Sequence, residues 1–155
     1  MYKTIVVPLD GSKLAECVLP HVEALAKGCQ VENVVFVRVA EPFSHVVAGD
    51  YQIFSREEVE RINSEMISEA EDYLRGLLQR LNFNGVKTKW EVIRGRSAES
   101  IAEYAMKEGS ELIIIATHGR SGVSRWVWGS VADRILRSSC IPVLMVRGPG
   151  CILGV

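Results

Sequence analysis

The sequence predicts an α/β fold: a single domain on a five-stranded, doubly wound parallel sheet in the order 3-2-1-4-5, with helices on both faces. Three observations predict it. Short apolar runs alternate with helix-period segments along the chain, which is the pattern of successive βαβ units. The first, second and fourth runs are almost wholly apolar, as strands covered on both faces must be. The third alternates Val86, Thr88, Trp90 and Val92 with Lys87, Lys89 and Glu91, which suits an edge strand blunted by charge.

The first strand covers Ile5 to Val7, and Ser12 precedes the first helix as its cap. Pro20 breaks that helical pattern after Leu19, yet Val22, Leu25 and Ala26 continue its apolar stripe. A kink or restart is therefore expected there rather than a loop, and Gly28 suits the helix end. The second strand is Val34 to Val39. Glu41 to Phe54 then runs without a clean period. Connections longer than ~12 residues are usually lids or mobile segments, so Phe43, Val46 and Tyr51 could cover a ligand or a partner.

Ser55 with Glu58 makes a capping box for a long helix. On it Val59, Ile62, Met66, Ala70, Leu74, Leu77 and Leu81 recur at spacings of three and four, one apolar stripe for the sheet. The third strand spans Lys87 to Ile93, Ser97 precedes the third helix and Gly109 suits its end. The fourth strand is Leu112 to Ile115, the last helix opens at Val131, and the last strand is Val143 to Val146. That last strand is as apolar as a central one yet closes the sheet at an edge, and an unblunted edge asks for a partner. A homodimer paired through Val143, Leu144, Met145 and Val146 across a two-fold axis is expected, with Ile141 and the tail around Ile152 and Leu153 adding cover.

The 155 residues suffice for one domain, expected over 1–147 with a tail over 148–155, and a chain of this size buries about 68–70% of its unfolded surface. With 48% hydrophobic and 24% charged residues, the composition excludes collagen, low-complexity disorder and coiled coil. Lys plus Arg number 18 and Asp plus Glu 19, a net charge of −1, so no global basic field exists to hold nucleic acid or an anionic membrane. Apolar runs such as Leu112 to Ala116 fall far short of the ~18 residues of a membrane helix, and the N-terminus enters a strand at once. A leaderless cytoplasmic protein is expected. Cys17, Cys29, Cys140 and Cys151 show no metal or redox spacing and read as small buried or tail thiols. Cys151 lies one residue too far from the end for prenylation.

GxxxxGK[ST], GxGxxG and HExxH are absent. So is GxSxG, since in Gly119-Arg120-Ser121-Gly122 the second glycine follows the serine directly. His21, His45 and His118 are scattered, without a triad or metal spacing. Two constellations remain. In the first, Ala116-Thr117-His118-Gly119-Arg120-Ser121-Gly122 follows the fourth strand, and Gly129-Ser130 opens the last helix. Glycines and hydroxyls before a helix start let backbone N–H groups approach an anion while the helix dipole adds positive charge; the alternative is a glycine-rich connector with Ser130 as a plain cap. In the second, Pro8-Leu9-Asp10-Gly11-Ser12 ends the first strand. Ligands of open α/β sheets bind beyond the carboxyl ends of strands where the winding reverses, so both loops would share one crevice. Asp10 would accept from ribose hydroxyls or help hold a metal, or it would simply close an Asx-type turn.

The run from Ala116 to Ser130, with Val-Pro-Leu-Asp-Gly-Ser near the start and Ile-Pro-Val-Leu-Met-Val near the end, resembles the universal stress protein family over nearly the whole chain. Its ATP-binding branch carries GxxG, nine residues, then G[ST]. Here Gly119, the nine residues Arg120 to Trp128, and Gly129-Ser130 match in register, with Ala116 at the first glycine position. The resemblance implies a flavodoxin-like, adenine-nucleotide-hydrolase-like sheet. It implies that Pro8, Leu9 and Asp10 contact the adenosine part and that Val39 borders the adenine. It further implies that Ala116 lies where the backbone approaches the ribose, that Gly119 and Gly129 give room for the phosphates, that Ser130 binds a phosphate oxygen with Arg120 and Arg125 as further phosphate contacts, and that His118, Gly122 and Val131 belong to the same nucleotide site. The function implied is an ATP-binding stress or regulatory protein, with Mg²⁺, acting as a nucleotide-dependent dimeric switch with at most slow hydrolysis. A nucleotide-independent dimeric interaction module and a small hydrolase or transferase using His118 with Asp10 are the alternatives.

Overall fold

The apolar runs become the interior strands of a parallel sheet because there both faces are covered. In the computed structural model, which describes residues 2–44, 47–48, 51–52, 54–83, 85–117 and 130–148, they are β1 (Thr4–Pro8), β2 (Asn33–Ala40), β5 (Lys87–Arg94), β6 (Leu112–Thr117) and β7 (Val143–Arg147). The sheet order is β5-β2-β1-β6-β7 and every pairing in it is parallel. Counting these five strands alone gives 3-2-1-4-5, as predicted. The lysine-bearing β5 is one edge, with Lys87, Lys89 and Glu91 exposed, and the apolar β7 is the other.

Successive strand residues point to opposite faces, so each interior strand feeds two cores. Ile5, Val7, Phe36 and Ile114 meet Val18, Val22 and Ala26 of the first helical region together with Leu74 and Leu77 of α2 (Arg56–Arg80). Val6, Val35, Val37, Ile113 and Ile115 meet Ala98, Ile101 and Ala105 of α3 (Ser97–Lys107) and Ala132 and Ile135 of α4 (Ser130–Ser138). Helices therefore cover both faces. On α2 the expected stripe faces inward, with Val59, Ala70, Leu74 and Leu77 buried and Ile62, Met66 and Leu81 half-buried. The Ser55–Glu58 capping box forms in full.

At Pro20 the predicted restart takes a definite form: a 3-10 turn over Ala15–Val18 runs into α1 (Leu19–Gly28), with the proline in the first turn, where its missing N–H costs nothing. Gly28 proves to be the last helical residue, and the left-handed turn falls two residues on, at Gln30 (φ 54°). Gly109 does end α3 at φ 63°, after Glu108. Ser97 is the first residue of α3 rather than its cap.

The connection from Glu41 to Phe54 is not structureless. A short antiparallel pair, β3 (Val47–Ala48) with β4 (Tyr51–Gln52), forms within it. Asn63 of α2 accepts from the Phe43 N–H at 2.7 Å and donates to its carbonyl at 3.1 Å, and Phe43 packs edge-on against Phe54 at 5.2 Å. Val46 and His45 lie outside the described residues, as do Cys151, Ile152 and Leu153. Cys17 and Cys29 are half-buried, but Cys140 is exposed in the turn after α4, contrary to the expectation of a buried thiol. No helix among the described residues is long and apolar enough to cross a membrane.

Candidate functional site

β1 sends the chain to the helices of one face and β6 sends it to α4 on the other, so the winding reverses between these neighbours. Beyond their carboxyl ends lies a cavity of about 200 Å³. Pro8, Leu9 and Asp10 of the first strand's end line it, with Val39 of β2, Ala116 of β6 and Val131 of α4. Six of the predicted positions thus converge from four separate segments. Ser130 begins α4 as expected. His118, Gly119, Arg120, Gly122, Arg125 and Gly129 lie outside the described residues.

The strand end is carried one residue past β1 by the Leu9 N–H, which donates to the Val37 carbonyl at 2.8 Å. Asp10 then turns the chain: its Oδ1 accepts the Ser12 N–H at 2.8 Å, and Ser12 Oγ accepts the Ala15 N–H at 3.0 Å, although the residue at the cap of the 3-10 turn is Leu14 and not Ser12 as expected. The Asx-type turn and the crevice position therefore both hold. A carboxylate has about four acceptor sites, so this bond does not exhaust Asp10. Gly11 between them sits at φ 91°, backbone that a residue with a Cβ adopts only at a cost.

The rest of the lining comes from Ala15, Val37, Ser97, Ile101, Ile115 and Ala132. Among the described residues that line it only Asp10 and Ser97 have polar side chains, so this part of the cavity is an apolar slot with one acid at its rim, suited to a flat, largely apolar group bearing hydroxyls. Sequence reasoning found Val39 but not Val37 or Ile115. The period-2 rule could have supplied Val37, since Val37 and Val39 share a face.

Ser97 reports a clamp that no local pattern signals. Its N–H and its hydroxyl both donate to Glu41 Oε1, at 2.9 and 2.6 Å. The carboxylate that serves the N-terminus of α3 thus comes from the end of β2. These bonds hold the Glu41 carboxyl below its ordinary range, with smaller help from the Arg134 and Arg96 charges. In the same first turn of α3, Glu99 pairs with Arg134 of α4, tying the two helices that wall the cavity. No group of three or more His, Cys, Asp or Glu among the described residues is placed to hold a metal ion.

The family model for the universal stress protein family matches residues 1–147. A universal stress protein of Methanocaldococcus jannaschii is 31% identical over 151 residues, covering 96% of this chain and 84% of the relative. A second from the same organism is 30% identical over 156 residues, 95% of this chain and 96% of the relative. The solved structure of the second superposes with a TM-score of 0.75 over 97% of this chain and 99% of its own. More distant in sequence, sharing the fold, are a universal stress protein in complex with cAMP (20% identity, TM-score 0.60, 94% and 97% covered) and one from Arabidopsis thaliana with AMP bound (11%, 0.64, 96% and 93%). Matched along nearly its whole length in sequence and in fold, the chain belongs to the universal stress protein family.

Proposed function

We propose that the chain binds ATP, carried with Mg²⁺, in the crevice beyond β1 and β6, and acts in the cytoplasm as a nucleotide-dependent dimeric switch within the stress response. The observation that carries this reading is the convergence of Pro8, Leu9, Asp10, Val39, Ala116 and Val131 on one cavity at the reversal of winding. The adenine would lie against Val37 and Val39, and Asp10 would accept from the ribose hydroxyls. Ser130, with backbone at Gly119 and Gly129, would take the phosphates, helped by His118, Arg120 and Gly122. AMP and cAMP in two fold relatives support the nucleotide class.

Among the described residues that line the cavity, Asp10 is the only carboxylate. That suits Mg²⁺, which binds mainly through phosphates and water with one or two carboxylates. Efficient ATP hydrolysis needs a group that orients the attacking water. Among the described residues the polar lining groups already have roles, Asp10 toward the ribose hydroxyls and Ser97 in the Glu41 clamp, so a switch fits better than a catalyst. Leu144 on the edge strand β7 is 37% exposed, which supports pairing of two copies through Val143 to Val146. Residues 1–147 would form the binding unit and 148–155 a tail.

The test is thermal unfolding of nucleotide-free protein with and without Mg-ATP. Ligand at 100 times its dissociation constant adds about 2.7 kcal/mol, a rise in Tm of about 5–11 °C for a chain of this length. Gly129→Val should lose the shift, because a Cβ at the helix start intrudes on phosphate space; Asp10→Ala, which loses only the acceptor for the ribose hydroxyls, should reduce it, and Ser121→Ala should keep it. No shift in the parent refutes the proposal and favours the nucleotide-independent interaction module.

A further inference from the structure

Arg38 is the one charged residue of β2, an interior strand, and a half-buried charge there needs partners. By alternation it points away from the cavity, while Val37 and Val39 line it. Its guanidinium lies over the Tyr73 ring of α2, 5.4 Å from the ring centre. The same group lies against Gly11: a Cβ built on that glycine would sit 3.2 Å from Nη1 and 3.3 Å from Cζ. Tyr73 is itself anchored, since its hydroxyl donates to Glu16 Oε1 at 3.0 Å, and Arg80 pairs with the same oxygen at 3.3 Å. Burial first, then the Glu16 bond, push the Tyr73 hydroxyl well above the ordinary phenol range, and the Asp10 charge adds to this, so the Asp10 turn sits within electrostatic reach of the same cluster. The turn therefore has the cavity on one side and a braced guanidinium on the other.

We propose that Arg38 is a positioning residue for the ligand site: lodged against Gly11 and Tyr73, it holds the Asp10–Ser12 turn where the Asp10 carboxylate meets the sugar hydroxyls of a bound nucleotide. This rests on the nucleotide reading above. The flat face of the guanidinium is what fits between an aromatic ring and a bare glycine, and an ammonium does not reproduce it.

A double-mutant cycle separates positioning from general support. Mg-ATP affinity is measured by calorimetry for the parent, Arg38→Gln, Arg38→Lys, Asp10→Ala and Asp10→Ala with Arg38→Gln. Residues acting through one another couple, whereas independent ones add. The expected result is about tenfold weaker binding in Arg38→Gln, incomplete rescue by Arg38→Lys, and less than about twofold further loss when Arg38→Gln is added to Asp10→Ala. Without nucleotide, amide exchange at Ser12, whose N–H is held by Asp10, should quicken in Arg38→Gln. An equal loss on both backgrounds, or unchanged Ser12 exchange, overturns the inference. Absence of binding by the parent overturns the nucleotide reading instead, and the Ser12 measurement then still decides whether Arg38 holds the turn.

Discussion

Replacing Glu41 with Gln removes a negative charge from the N-terminus of α3 and leaves an amide of nearly the same shape. In the parent, one carboxylate oxygen accepts both the Ser97 N–H at 2.9 Å and the Ser97 hydroxyl at 2.6 Å. A carboxylate beside a helix N-terminus contributes about 0.3–1 kcal/mol when exposed. Glu41 is exposed, so solvent screening puts the expected cost at about 0.5 kcal/mol, a fall in Tm of about 1–2 °C. The pH dependence identifies the cause. Because the Ser97 bonds hold the native carboxyl below its ordinary range, the stabilisation is fully present above the unfolded-chain pKa of about 4.3. It is lost as pH falls through the lower native value. Unfolding of parent and variant by circular dichroism from about pH 7 to about pH 2.5 should therefore show a constant gap at neutral pH that closes below about pH 4. A gap of unchanged width at the acid end would refute the electrostatic argument and leave only a lost packing contact.

Gly11→Ala places a Cβ at φ 91° and close to the Arg38 guanidinium, so a loss of about 1–2 kcal/mol is expected; an unchanged Tm would mean that the turn does not need the left-handed region. Asn63→Ala removes both bonds to the Phe43 backbone, worth about 1–3 kcal/mol together. Limited proteolysis between residues 43 and 54 should accelerate, and an unchanged cleavage rate contradicts the anchoring role. Leu144→Glu puts a charge on the exposed face of the β7 edge. Light scattering should give a dimer mass for the parent and a monomer mass for the variant, and a parent monomer at all concentrations ends the dimer proposal.

Strand order was legible because charge marks an edge: Lys87, Lys89 and Glu91 could not be interior, and β5 is an edge strand. The α2 stripe was legible for the same local reason, a spacing of three and four that tertiary contacts then satisfied. At the site, Asp10 was readable from the strand end on which it sits, whereas Val39 followed only from the resemblance to the family. The clamp on Ser97 was not, since its acceptor is 56 residues away, and a helix cap delivered from another strand leaves no local signature. The same holds for Arg38. A lone arginine in an apolar run reads as an oddity until the fold brings Tyr73, 35 positions on, and Gly11, 27 positions back, to the same guanidinium.

The register of β2 carries both halves of the site. Five residues of β2 pair with β1 and all eight pair with β5, and that ladder sets which side chains face which way. Val37 and Val39 reach the cavity because they are two apart, and Arg38 reaches the Asp10 turn because it lies between them. A one-residue slip would turn every side chain to the opposite face, driving a guanidinium into the apolar slot and withdrawing the prop from Gly11. The buried Phe36 ring, stacked on Phe83 at 6.1 Å, opposes such a slip by the same alternation, since the slip would move it out of its core. The packing of the interior strands and the geometry of the ligand crevice are therefore one constraint. Substitutions that loosen β2 from β5 should first appear as weaker ligand binding, because β2 supplies both a wall of the cavity and the brace behind its acid.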